Sequence, residues 1–148
     1  MKIKLIVVGK TRSKFLIEGE KVYSERLKHY CKFTEFIIPD VKNSGKLSIL
    51  ELKNKEGVSI LSAINNSAEV ILLDENGSSF SSIEFSNFIN KKILSSNKEL
   101  VFVVGGAFGF SDQVYKRSNS KLSLSKMTFS HQMIRLFFKE QLYRSHTI

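Results

Sequence analysis

Two segments rich in small residues, each at the end of a predicted strand, contain the residues best suited to bind a ligand. The first is Gly105-Gly106-Ala107-Phe108-Gly109, after the apolar run Leu100–Val104, and the second is the loop at residues 124–129. In open α/β sheets, ligands bind at the carboxyl ends of strands, where backbone groups are free. Because the two strand ends are close in the sequence, we expect them to form one cleft.

The glycine segment differs from the common nucleotide-binding motifs. Its pattern is GGxxG rather than GxGxxG, and about twenty residues further on stands Ser125 instead of the acid that would bind a ribose. A Rossmann reductase is therefore disfavoured. The sequence contains no GxxxxGK[ST] motif, so a P-loop is absent as well. A tight turn that binds nothing is the alternative at this point.

Few side chains in the sequence indicate covalent or metal chemistry. Cys31 is the single cysteine, which excludes an internal disulfide framework and a multi-cysteine metal site. Such a cysteine is more often buried than nucleophilic. The adjacent acids Asp74 and Glu75 more often face water than bind a metal. We therefore expect no metal ion.

The three histidines are too scattered for a metal-ligand spacing. His131 nevertheless stands out, because it directly follows the loop at 124–129 and precedes the last predicted helix. Two roles are open for its side chain: contact with a ligand or substrate, or a hydrogen bond at the start of that helix.

Composition favours a single basic domain over residues 1–148. Lys and Arg number 23 against 14 Asp and Glu, a net charge of +9. Such an excess favours polyanionic partners, with nucleic acid the commonest, although some basic proteins bind no anion. No apolar run approaches the ~20 residues of a membrane span. With one cysteine and no signal cleavage site, the expected location is the cytoplasm, without membrane attachment.

Strand and helix patterns alternate along the whole sequence. After the third strand, which ends at Asp74, we predict a turn at residues 75–79 and a helix with Ser82 as its N-cap. Ser130 or His131 opens the last helix. The pattern predicts an α/β fold, a mostly parallel sheet with helices on both faces. The strands are predicted at 3–8, 33–38, 70–73, 99–104 and 121–125, and the other helices at 14–30, 48–65 and 111–118.

Several separate segments carry a resemblance to one family. These segments are Met1–Lys10, Lys55-Glu56-Gly57, Phe102–Gly109, Leu122–Arg135 and Glu140–Arg144. The part from Ser123 to Tyr143 is the most specific, because unrelated residue types agree there in order and spacing. With these segments the sequence resembles, from end to end, the RlmH family, SPOUT-class ribosomal large-subunit pseudouridine N3-methyltransferases.

The resemblance implies a carboxyl-terminal trefoil knot, an exception to the rule of unknotted chains. It also implies a homodimer, and S-adenosylmethionine bound in the knot as the methyl donor. The cofactor would contact three loops, at Leu73, Gly105, Leu124, Ser125, Lys126, Met127, Thr128 and Phe129. We expect Gly105→Val to abolish cofactor binding with little loss of fold.

The resemblance also implies an acceptor site, where the imide N3 of the pseudouridine must lose its proton. The candidate side chains are His131, Arg135, Tyr143 and Arg144. Other roles stay open for three of them. Arg135 or Arg144 could anchor a phosphate or pair with Glu140, and Tyr143 could pack at an interface. The substrate would be ribosomal RNA in the large subunit or the whole ribosome, because a small protein without an added RNA-binding domain needs a large preformed surface.

One departure from the family lies at the carboxyl terminus. Family members usually continue into a short tail containing Tyr and His, whereas this sequence stops at Ile148. If the tail shapes the nucleoside pocket, we expect this polypeptide to bind the cofactor and methylate poorly. Two other functions are open: a nucleic-acid-binding module of the same fold with little catalysis, and a dinucleotide-dependent oxidoreductase.

Overall fold

Strands and helices alternate in the computed structural model, which describes residues 1–95 and 98–148. A short 3₁₀ turn at Ser44–Lys46 lies in the connection after the second strand. The elements in chain order are β1 (Lys2–Val8), α1 (Lys14–Leu27), β2 (Lys32–Ile38), α2 (Ile49–Ser62), β3 (Glu69–Ser79), α3 (Ser82–Ser95), β4 (Leu100–Val104), α4 (Asp112–Arg117), β5 (Ser120–Ser123) and α5 (Met133–Thr147).

Within the described residues, the strands form one sheet in the order β2-β1-β4-β3-β5. Every neighbouring pair is parallel. Parallel neighbours need long crossover connections, which explains why a helix separates each strand from the next. The α/β class with a parallel sheet is therefore confirmed.

Helices cover both faces of the sheet, as predicted. The side chains of β4 alternate between the faces: Phe102 packs with Phe138 of α5 on one side, and Val103 belongs to the core cluster that includes Val114 of α4 on the other. The first face also carries α1 and α3, and the second also carries α2. All five residues of β4 are buried, as expected for a central strand covered twice.

The predicted turn at residues 75–79 is wrong, because β3 continues through it to Ser79. The strand has an irregularity after Leu73, and Ser78 and Ser79 then pair with β5. A Cβ at Gly77 would lie 2.6 Å from the backbone carbon of Lys121, so only glycine fits this close approach. Local composition favours a turn here, but pairing with a strand over forty residues away decides the conformation.

Two helix starts differ slightly from the prediction. Ser81, not Ser82, caps α3: its hydroxyl accepts a hydrogen bond from the Glu84 N–H, and the Glu84 carboxylate accepts one from the Ser81 N–H. These hydrogen bonds lower the pKa of Glu84. The last helix begins at Met133, whose N–H donates to the Ser130 hydroxyl.

The parallel topology places the carboxyl ends of all strands at one edge of the sheet. Gly9, Asp74, Gly105 and Leu124 follow or interrupt strands at this edge. Across the part of the chain that the structure describes, no helix is long and apolar enough to cross a membrane.

Candidate functional site

A cleft of about 660 Å³ opens at the carboxyl edge of the sheet. Three segments form its walls: residues 73–76 within β3, residues 104–110 from the end of β4 onward, and residues around 122–131 from the end of β5 onward. The structure thus brings together the two loops from which the sequence predicted one cleft. The remaining wall is the β3 segment at Leu73, which the resemblance also implies as part of the site.

Seven of the eight residues predicted to contact a cofactor line this cleft. Lys126 is not among the lining residues and is exposed beside the cleft. The seven that line it are Leu73, Gly105, Leu124, Ser125, Met127, Thr128 and Phe129.

The glycine segment makes a tight turn over an aromatic ring. Gly109 has a φ of +88°, and its N–H donates to the Gly106 carbonyl at 3.1 Å. A Cβ on Gly105 would lie 3.0 Å from Cε1 of Phe110, a ring that is 4% exposed. Phe110 therefore packs under the turn. Phe108 is 53% exposed and borders the cleft.

The third wall, residues 124–129, is fixed by short hydrogen bonds. The Ser125 hydroxyl accepts from the Met127 N–H at 3.0 Å, and the Ser123 hydroxyl donates to the Ser125 carbonyl at 2.8 Å. The Thr128 hydroxyl donates to Glu75 at 2.6 Å, which ties the loop to β3. The loop is thus held on both sides, by its own turn and by the neighbouring strand.

The polar end of the cleft holds two carboxylates that sequence reasoning did not assign to a ligand site. Asp74 accepts a hydrogen bond from the Tyr115 hydroxyl at 2.6 Å, and Glu75 accepts the one from Thr128. Burial and the Asp74 contact raise the pKa of Tyr115 to about 12. In the sequence, the feature that could have indicated this site is the position of Asp74 and Glu75 directly after an apolar strand run. Two carboxylates at one end favour a ligand with a cationic part.

His131 lines both the cleft and a second, smaller cavity. Burial lowers the pKa of this imidazole, the Arg135 and Arg12 guanidinium groups lower it further, and Asp40 opposes them. The imidazole is therefore mainly neutral at pH 7 and able to accept a hydrogen bond.

Arg135 is fully buried, and its guanidinium does not line the cleft. It donates to the carbonyl groups of Val8 and Gly9, both at 2.7 Å, and to that of His131 at 2.9 Å. A weaker bond reaches the Thr11 hydroxyl at 3.3 Å. Arg135 thus joins the start of α5 to the end of β1 and holds the backbone of His131 in place.

Tyr143 and Arg144 lie at the other end of α5. At 1.5 Å per residue they stand about 14 and 15 Å along the helix from Ile134, the last residue of the cleft wall. Tyr143 packs against the rings of Tyr23 and Tyr30, and Arg144 forms an ion pair with Glu140. The structure therefore does not bring these two side chains to the cleft of their own chain.

The second cavity has a volume of about 210 Å³ and adjoins the cleft through Gly106, Ala107 and Phe108. Its charged lining residues are Arg12, Asp40 and Glu56, with His131 beside them. Glu56 belongs to the Lys55-Glu56-Gly57 segment that carries the resemblance, and no role was predicted for it from the sequence. The signal was its place in the apolar stripe of α2, four residues from both Leu52 and Ile60.

Burial and the neighbouring Asp40 carboxylate raise the pKa of Glu56. The side chain of this residue lies against the glycine turn, because a Cβ on Gly106 would be 2.7 Å from its Oε1. Among residues 1–95 and 98–148, no group of three or more His, Cys, Asp or Glu side chains is arranged to hold a metal ion.

Comparison with known proteins gives one consistent result. The family described as "Predicted SPOUT methyltransferase" matches residues 1–148. A protein named ribosomal RNA large subunit methyltransferase H from Christiangramia forsetii is 57% identical over all 148 residues, which cover 94% of that protein. Proteins of the same name from Flavobacterium psychrophilum and Parabacteroides distasonis are 55% and 52% identical over the same length, with the same coverage. The resemblance found in the sequence is confirmed.

Proposed function

We propose that this chain, which belongs to the SPOUT methyltransferase family, methylates large-subunit ribosomal RNA at N3 of a pseudouridine, with S-adenosylmethionine as the donor. Full-length relatives named as large-subunit ribosomal RNA methyltransferases support the substrate class. The observation that carries the proposal is the pair of adjoining cavities, which share the wall of Gly106, Ala107, Phe108 and His131. A methyl donor in the larger cleft and an acceptor base in the smaller cavity would meet at that wall.

The larger cleft has the size and chemistry that S-adenosylmethionine requires. Its volume lies within the usual range for small-molecule sites. Leu73, Leu124 and Phe129 offer apolar surface for the adenine, and Gly105 leaves no room for a side chain above Phe110. Asp74 and Glu75 place negative charge near a ligand that carries a sulfonium and an ammonium group.

S-adenosylmethionine, when bound, supplies an already activated methyl group, so the chain itself has mainly to position and desolvate the acceptor. Aligned reactants held about 3 to 3.5 Å apart gain most from such positioning. The buried floor of β4 and the loop at 124–129 exclude water from one side of the cleft. His131 offers a neutral imidazole to hydrogen-bond the acceptor base.

We propose a homodimer in which Tyr143 and Arg144 act at the partner's acceptor site. Their distance along α5 from the cleft of their own chain supports this assignment over a role within one chain. Arg135 is proposed to position His131 through their hydrogen bond, rather than to touch the RNA.

The trefoil knot is also part of the proposal. β5 is the edge strand outside β3, yet α5 packs against both α1 and α3 on the face that α3 covers. We propose that residues 124–132 pass inside the loop formed by β3, α3 and β4 to reach that position. Residues 1–148 would form one domain around this knot.

The net charge of +9 supports binding to a ribosomal RNA surface. We propose the assembled large subunit or whole ribosome as the substrate, because the described elements leave no separate RNA-binding module beside the sheet and its helices. Such a substrate places the enzyme in the cytoplasm.

Calorimetry tests the cofactor first, with S-adenosylmethionine and NAD titrated separately into the chain. Binding of S-adenosylmethionine without NAD supports the proposal, and the reverse result would establish a dinucleotide-dependent enzyme instead. Transfer of labelled methyl groups to 70S ribosomes, large subunits and naked RNA that lack the modification then tests catalysis. Cofactor binding with no transfer to any of the three would leave a nucleic-acid-binding module.

A further inference from the structure

The small cavity beside the cofactor cleft is suited to a single flat ring. Its volume of about 210 Å³ corresponds to roughly seven water molecules at ~30 Å³ each. It opens to the cleft along Gly106, Ala107 and Phe108, and Phe108 offers an exposed aromatic face at this boundary. An inserted base would therefore lie with one edge at the boundary between the cofactor cleft and the charged lining of this cavity.

Glu56 is the deepest charged side chain that lines this cavity. It is 8% exposed, whereas Arg12 and Asp40 are exposed and pair with each other at 3.5 Å. Among the described residues, none forms a hydrogen bond or an ion pair with the Glu56 carboxylate. Its oxygen atoms are not sealed in the core but open to the cavity, so a ligand in the cavity can hydrogen-bond this carboxylate.

We propose that Glu56 is the group that accepts the N3 proton of the target base in this cavity. The inference rests on the proposed methyltransferase function and deepens it. The position of Glu56 against Gly106 places its carboxylate at the wall shared with the cofactor cleft. A ring between Phe108 and His131 would present its imide edge toward Glu56 and the donor together.

The proton transfer balances without any further reactant. The N3–H bond breaks, its proton moves to a carboxylate oxygen of Glu56, and its electron pair stays on N3. That pair forms the new N–CH₃ bond as the C–S bond of the sulfonium breaks, and the neutral thioether leaves. Glu56 then releases the proton to water through the open side of the cavity.

The groups around Glu56 favour this role over a permanent negative charge. Asp40 faces it from the loop after β2, and Arg12 and His131 face it from the loops after β1 and before α5. Burial and the repulsion of Asp40 raise the pKa of Glu56. A carboxylate with a raised pKa is a stronger base and better matched to an imide nitrogen.

The variant Glu56→Gln keeps the shape of the side chain and removes the base. Glu18→Gln, an exposed position on α1, makes the same chemical change outside the site and serves as the control. Single-turnover methyl transfer to unmodified ribosomes is measured for wild type and both variants from about pH 4.5 to 9, together with S-adenosylmethionine affinity and melting temperature. We expect Glu56→Gln to lose at least about 100-fold in rate at pH 7, with cofactor affinity within twofold of wild type and no fall in melting temperature.

The pH profile separates a base from a structural residue. The wild-type rate should rise with pH through the titration of Glu56, and this rise should be missing in Glu56→Gln. A variant rate within threefold of wild type, or a parallel loss of rate and cofactor affinity, would overturn the inference while leaving the methyltransferase proposal intact. Absence of transfer by the wild-type chain would instead refute that proposal, and this inference with it.

A measurement without turnover completes the test. Carboxyl ¹³C resonances are titrated by NMR in the glutamate-labelled wild-type chain, and the resonance missing from Glu56→Gln is assigned to Glu56. We expect it to titrate above the usual glutamate value of about 4.3. Titration at or below that value would contradict the role of a strengthened base.

Discussion

Replacement of Arg135 by methionine should destabilise the fold severely, because this guanidinium joins two distant parts of the chain. It is fully buried and donates to the carbonyl groups of Val8, Gly9 and His131. Methionine leaves two buried acceptors and one partly buried acceptor without donors, at about 1–3 kcal/mol for each buried one. Allowing for relaxation and for the apolar replacement, we expect a loss of about 3–5 kcal/mol, a large part of the ~5–15 kcal/mol typical of a domain.

Urea unfolding followed by circular dichroism measures this loss at a fixed protein concentration. With a slope of about 2 kcal/mol per molar urea, the midpoint should fall by about 1.5–2.5 M. Arg144→Met is the matched control, since Arg144 is an exposed arginine on the same helix that pairs only with Glu140 among the described residues. Because Arg144 pairs with a carboxylate and donates to no buried carbonyl group, its midpoint should fall by much less than that of Arg135→Met.

Arg135→Lys separates the charge from the geometry. Lysine keeps the positive charge but lacks the planar fork that reaches three carbonyl groups, so we expect an intermediate midpoint. A shift below about 0.5 M for Arg135→Met, or equal shifts for Arg135→Met and Arg144→Met, would refute the view that Arg135 anchors α5 to β1.

Three further outcomes follow from burial at other positions. Gly105→Val should weaken S-adenosylmethionine binding at least tenfold by calorimetry and also lower the melting temperature, because its Cβ would press on the buried Phe110; unchanged stability would contradict this. Folding raises the pKa of Glu56, so the folded state is more stable when this side chain is protonated than when it is ionised. This stabilisation is fully present below about pH 4.3 and is lost as pH rises through the folded-state pKa. The melting temperature of Glu56→Gln relative to wild type should therefore increase from pH 4 to pH 8; a constant difference would contradict the shift. Burial raises the pKa of Cys31 to about 11, so a thiol reagent at pH 8 should react rapidly only after unfolding in urea; rapid reaction of the native chain would refute its burial.

The fold class and the cleft could be predicted from the sequence because their signals are local. Apolar runs mark the strands of a parallel sheet, and small residues after β4 and β5 mark loops at its carboxyl edge. In a parallel sheet these loops must lie on the same side. Both loops do line one cleft, and Lys126 is the one predicted contact residue that does not.

Other features depend on contacts between distant residues, and composition does not reveal them. The segment at 75–79 has the composition of a turn, but it forms the end of β3 because β5 lies beside it. Arg135 has the residue type of an RNA contact, yet its guanidinium reaches carbonyl groups more than 120 residues earlier in the chain. The expectation that Gly105→Val would spare the fold overlooked Phe110, whose ring lies directly beneath the glycine.

Nucleoside mass spectrometry tests the central proposal most directly. Large-subunit RNA is isolated from unmodified ribosomes after incubation with the chain and S-adenosylmethionine, digested, and analysed for methylated nucleosides. We expect 3-methylpseudouridine to appear in proportion to the enzyme activity and to be missing when the donor is omitted. A methyl group found only on another nucleoside, or no methylated product despite cofactor binding, would contradict the account.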